Sequence, residues 1–64
     1  MELEIRDRPS QMWAEGTSDI RPTLDDIFDK IEERGFNAWE VKVWFDHMQG
    51  FWRFSADIRP SNQA

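Results

Sequence analysis

Two stretches of strict apolar/polar alternation fill residues 39–58, with a short break between them. Trp39, Val41, Val43 and Phe45 alternate with Glu40, Lys42, Trp44 and Asp46. After His47-Met48-Gln49-Gly50, the set Trp52, Phe54, Ala56 and Ile58 alternates with Phe51, Arg53, Ser55 and Asp57. A period of two puts each set on one face of a strand, so the segment predicts a β-hairpin. A turn of two or four residues sets Phe45 against Trp52, Val43 against Phe54, Val41 against Ala56 and Trp39 against Ile58, all on one face. A three-residue turn would set Val43 against Arg53 and mix the faces. The favoured register also puts Trp44 opposite Arg53, within reach of a cation–π contact, and Glu40 opposite Asp57. That like-charge pair is one that Lys42 could relieve diagonally.

A helical period appears just upstream. Leu24, Ile27, Phe28 and Ile31 follow the i, i+3, i+4, i+7 spacing of a single apolar face. Thr23 is a suitable N-cap, with Asp26 three residues later in a capping-box position. Pro22 keeps the helix from starting earlier, and Gly35 stands where a left-handed C-terminal residue belongs. These signals predict a helix over about residues 24–34.

The first 22 residues carry weaker signals. Leu3 and Ile5 alternate with Glu2, Glu4 and Arg6, which predicts a strand. A turn at Asp7-Arg8-Pro9-Ser10 returns the chain along Gln11–Glu15, facing Ile5 to Met12 and Leu3 to Ala14. Gly16-Thr17-Ser18 then reads as a loop, and the tail 61–64 as a frayed end. All three prolines occur in Arg-Pro-Ser/Thr. The unequal spacing favours punctuation of extended segments over a repeat or a basic recognition motif.

These elements predict a single α+β domain over residues 1–60, in the order ββαββ. One helix packs on one face of a three- or four-stranded antiparallel sheet. Its face of Leu24, Ile27, Phe28 and Ile31 meets Trp39, Val41, Val43, Phe45, Trp52, Phe54 and Ile58, and Leu3 and Ile5 extend that core. The element types resemble ferredoxin-like and double-stranded-RNA-binding architectures, which implies nothing about function.

Composition sharpens the picture in two ways. At 64 residues with no cysteine, no disulfide or thiolate site can staple the domain. A chain this short buries only about 60% of the surface its unfolded form exposes. Four tryptophans and five phenylalanines therefore have to supply the core, unless oligomerisation assists. The net charge of −5 disfavours binding to nucleic acid phosphates and anionic membranes. The first residues have neither a basic region nor a long apolar run, and no stretch approaches a membrane span, so a cytoplasmic protein is expected.

Catalytic chemistry finds little support. His47, the single histidine, falls at the hairpin tip with no partner beside it, so a solvated turn residue is expected. No nucleophile-elbow or phosphate-loop pattern is present, and no cofactor or metal is implied. Asp25, Asp26, Asp29, Glu32 and Glu33 lie on the outer helix face, without the cleft that acid/base work needs. Their spacing misses the Ca²⁺-loop pattern.

Two surfaces remain. The helix acids include like-charge i, i+4 pairs at Asp25–Asp29 and Asp29–Glu33, each costing about 0.2–0.5 kcal/mol, with Asp26–Lys30 as the one favourable pair. Local helix stability does not explain that arrangement. A solvated face or a docking patch of Asp26, Asp29 and Glu33 for a basic partner does. Trp44 and Phe51, joined by Trp13, form the second surface, beside Arg53 and Lys42 on the sheet face away from the helix. Residues 7–22 folding over that face, or dimerisation through it, would take the aromatics out of water.

The expected function is thus a small, acidic, non-enzymatic protein-binding module, an inhibitor that blocks a basic, nucleic-acid-binding site on a larger partner, as phage-borne antagonists do. Asp26, Asp29 and Glu33 would supply charge, with Trp44, Phe51 and Arg53 as anchors. Two alternatives are a single-stranded nucleic acid binder using the aromatic/Arg face and an accessory subunit or homodimer with a purely structural role. Residues 38–64 hold three acids and three bases, so that half is neutral and the nucleic-acid alternative stays open.

Overall fold

The order is ββαββ: β1 (Glu2–Arg8), β2 (Gln11–Ser18), α1 (Leu24–Glu33), β3 (Phe36–Asp46) and β4 (Phe51–Pro60). The structure is a computed structural model that describes residues 1–61. The strands form a four-stranded antiparallel sheet in the order β1-β2-β4-β3. The last strand in sequence thus lies inside the sheet. The expected tail at 61–64 lies outside the described residues except for Ser61, whose N–H donates to the Gly35 carbonyl at 2.8 Å.

The helix starts where its signals place it. The Asp26 amide donates to Thr23 Oγ1 at 3.1 Å, which satisfies one of the orphan donors of the first turn. It ends at Gly35, whose φ of 87° lies in the left-handed region and whose N–H donates to the Glu32 carbonyl at 2.9 Å. Ile27 and Ile31 are fully buried and form the core with Ala14, Phe54, Ala56 and Ile58. The helix crosses the sheet diagonally. Its first turn, with Leu24, borders Val41 and Val43 of β3, and at its far end Arg34 Nη2 reaches the Leu3 carbonyl of β1 at 3.5 Å.

The hairpin of β3 and β4 has the expected four-residue turn and the expected pairs Phe45–Trp52, Val43–Phe54 and Val41–Ala56. Five expected core residues stand elsewhere: Phe28, Phe45 and Trp52 are half-buried outside the central cluster, and Trp39 and Leu24 are exposed. Trp39 does not face Ile58: Ala38 pairs with Ile58 and Glu40 with Asp57, so Trp39 sits on a β-bulge and is 58% exposed. The cause is a change of phase. Phe36 and Ala38 meet the core from even positions and Val41 and Val43 from odd ones, and one extra residue reconciles them. Leu24 is also exposed, because the first residue of the helix projects beyond the buried stretch of Ile27 and Ile31.

The first hairpin is tighter and longer than its signals suggest. Its loop is Pro9-Ser10, with Arg8 against Gln11, so Ile5 faces Ala14 and Leu3 faces Gly16, two residues from the expected register. Gly16-Thr17-Ser18 is strand rather than loop, because it pairs with both β1 and β4. Gly16 is required there: a Cβ at this position would overlap the Glu2 carbonyl and the Phe54 ring.

Candidate protein-binding surface

Side-chain alternation sorts the sheet into two faces. Leu3, Ile5, Met12, Ala14, Val41, Val43, Phe54 and Ala56 turn toward the helix. Their neighbours turn the other way, and the registers assemble them into rows across the sheet. One row runs Glu2, Thr17, Arg53, Trp44; the next Glu4, Glu15, Ser55, Lys42; the third Arg6, Trp13, Asp57, Glu40. Residues 11–18 extend the sheet beside β4, so residues 7–22 do not fold over this face.

The structure separates the six residues expected to bind a partner into two groups. Asp26, Asp29 and Glu33 are exposed on the helix. Trp44, Phe51 and Arg53 belong to the helix-free face on the other side of the sheet. The helix acids form no ion pair among the described residues, the expected Asp26–Lys30 pair included. Trp44 stands opposite Arg53 as expected, but the guanidinium lies over Phe51 instead, 5.1 Å from its centroid. Arg53 Nε also donates to Asp46 Oδ2 at 2.7 Å.

Asp46 organises this end of the hairpin. Its Oδ1 accepts from the Met48 and Gln49 amides at 3.0 Å each, and its carbonyl accepts from Gly50 at 2.7 Å. The hydrogen bond from Arg53, then that from the Gln49 amide, holds the Asp46 carboxyl below its ordinary value. His47 is exposed at the tip and meets the Phe45 ring edge-on at 5.0 Å. On the other side of the face, Arg6 is held by Glu15 at 2.9 Å and Glu4 at 2.6 Å. The hydrogen bond to Glu15 and the two negative charges raise the Arg6 pKa.

The arginines of the three Arg-Pro pairs share one role. Arg8 lies 5.2 Å over Trp13, Arg21 5.5 Å over Trp52 and Arg59 5.3 Å over Trp39. Each covers a tryptophan by a cation–π contact. Trp44 is the exception: no arginine covers it among the described residues, and it is 45% exposed. It also borders two depressions of the helix-free face. One, of about 470 Å³, runs between Trp13 and Trp44 over Ser55 and Asp57. The other, of about 280 Å³, lies among Glu2, Glu4, Arg6, Thr17 and Arg53.

Sequence reasoning missed the capping role of Asp46, although aspartate before a Gly-ending turn is a side-chain turn signal. It also missed the Arg–Trp stacks, which join residues from different elements and leave no local pattern. Among the described residues, no three His, Asp or Glu side chains are grouped to hold a metal ion, and no helix is long and apolar enough to cross a membrane. The chain matches no protein-family profile, no curated protein and no solved structure.

Proposed function

We propose that the chain is a small, acidic, non-enzymatic protein-binding module that caps a basic surface of a larger partner, in the manner of an inhibitor, with Trp44 as its anchor. The observation that carries this reading is the setting of Trp44, since exposure alone does not separate it from the more exposed Trp39. An arginine stacks on each of the other three tryptophans, none stacks on Trp44 among the described residues, and Trp44 borders two depressions on the face that lacks a helix. Tryptophan is among the residue types that dominate protein interfaces, and Trp44 stands exposed on the edge strand β3. The charge balance of −5 favours a basic partner.

Nucleic acid is the weaker reading for a specific reason. Two arginines of the aromatic face are already neutralised, Arg6 by Glu4 and Glu15 and Arg53 by Asp46. A strand of phosphates needs free cations along its path.

The test is affinity capture with the wild type, Trp44→Ala, and a variant carrying Asp26→Asn, Asp29→Asn and Glu33→Gln. Proteins held by the wild type and lost from Trp44→Ala identify the partner, and the helix variant reports whether the acids on the far side add affinity. Equal capture by wild type and Trp44→Ala, or tight binding of single-stranded DNA or RNA that weakens with salt, would refute the reading.

A further inference from the structure

We propose that the free edge of β1 pairs with β1 of a second copy of this chain, antiparallel and symmetric about Ile5. The strand order leaves β1 and β3 as the edges of the sheet. β3 is interrupted by its bulge at Trp39, a device that blunts an edge. β1 pairs without interruption from Glu2 to Arg8 and contains no proline.

Backbone geometry selects which groups are open. Arg8 and Gln11 flank the two-residue loop, so they are a hydrogen-bonded pair. Alternation then directs the amides and carbonyls of Glu2, Glu4, Arg6 and Arg8 toward β2 and those of Leu3, Ile5 and Asp7 toward the free edge. The Arg34 guanidinium at the Leu3 carbonyl fits that direction.

The side chains select the partner. Glu2-Leu3-Glu4-Ile5-Arg6-Asp7-Arg8 changes charge sign about Ile5. A two-fold axis through Ile5 sets Ile5 against the partner's Ile5, Glu4 against the partner's Arg6 and Glu2 against the partner's Arg8, with opposite charges in each ionic pair; since Glu4 and Arg6 already pair within each chain, the first of these joins two existing ion pairs into one network. The open amides of Leu3 and Ile5 then meet open carbonyls, and the amide of the partner's Asp7 shares the Leu3 carbonyl with the Arg34 guanidinium. An axis through Glu4 or Arg6 would set that residue directly against its own copy, like charge against like, at the centre of the pair. One pair is mismatched at first sight, Leu3 against the partner's Asp7. Asp7 shares the helix-side face with Leu3 and has no ion pair among the described residues, and Arg34 already reaches over Leu3. The pairing therefore delivers the partner's Asp7 to Arg34.

The product is an eight-stranded sheet with both helices on one face and both Trp44 side chains on the other. Its contact is a short strand pair, below the size of a standard interface, so association is concentration-dependent. This inference stands apart from the proposed partner binding, since it uses the edge of the sheet and not its face.

The experiment is sedimentation or light scattering over a concentration series, with circular dichroism as a fold check. The mass is expected to rise from 7.7 kDa toward twice that value as the chain approaches about 1 mM. Asp7→Arg and Arg34→Asp each shift the transition about tenfold to higher concentration, and the double exchange restores it. The amides of Leu3, Ile5 and Asp7 gain exchange protection with concentration. A mass that stays at the monomer value, or a dimer indifferent to both exchanges with those three amides unprotected, would overturn the proposal.

Discussion

Asp46 and Arg53 face each other across the end of the second hairpin, with Oδ2 and Nε 2.7 Å apart, while the other Asp46 oxygen holds the turn amides. One carboxylate thus couples the loop to the strand pair. Its pKa is depressed in the folded state, so its contribution is fully present above the unfolded value of about 3.9 and is lost as pH falls through the lower folded value. Asp46→Asn is expected to lower stability at neutral pH and to flatten the loss that the wild type shows below about pH 4. Thermal melts from pH 2 to 7 would show this, and an unchanged acid limb in the variant would contradict it.

Gly16 pairs with Leu3 on one side and Phe54 on the other. Because a Cβ there meets both the Glu2 backbone and the Phe54 ring, Gly16→Ala is expected to cost about 1–3 kcal/mol through overpacking. In a domain this small that lowers the melting point by about 4–8 °C per kcal/mol. Chemical denaturation of the variant measures it directly.

Thr23→Ala removes the side-chain acceptor of the Asp26 amide. The expected loss is about 1 kcal/mol, and Thr23→Asp should retain most of the stability. Equal melting of the alanine and aspartate variants would show that the cap is without energetic weight.

Trp39 and Phe54 separate exposure from size. Phe54 is 1% exposed in the core, and Phe54→Ala should cost about 3–5 kcal/mol. Trp39 lies on the bulge with only Arg59 stacked on it, so Trp39→Ala should cost about 1 kcal/mol or less. Urea midpoints of the two variants give the comparison.

The alternation over residues 41–58 was readable because a single core face leaves one register, and the helix was readable because its cap, stripe and terminal glycine agree. Trp39 was misplaced because the alternation was carried through it. Phe36 and Ala38, in the opposite phase, were the signal of a bulge. The first hairpin was misregistered because Gly16 looked like a breaker, whereas its missing side chain makes room for Phe54. The separation of Asp26, Asp29 and Glu33 from Trp44, Phe51 and Arg53 was implicit in placing one group on the outer helix and the other on the far sheet face. The strand order, which brings Trp13 beside Asp57, came from long-range pairing that no local pattern encodes.

The position of β4 inside the sheet bears on how the molecule comes into being. During synthesis β1 and β2 emerge as an isolated hairpin, and β3 follows with no strand to join. Neither half has a buried interior until residues 51–60 leave the ribosome and slide between them. Shortening the chain within that segment should therefore abolish the whole fold at once rather than trim one border.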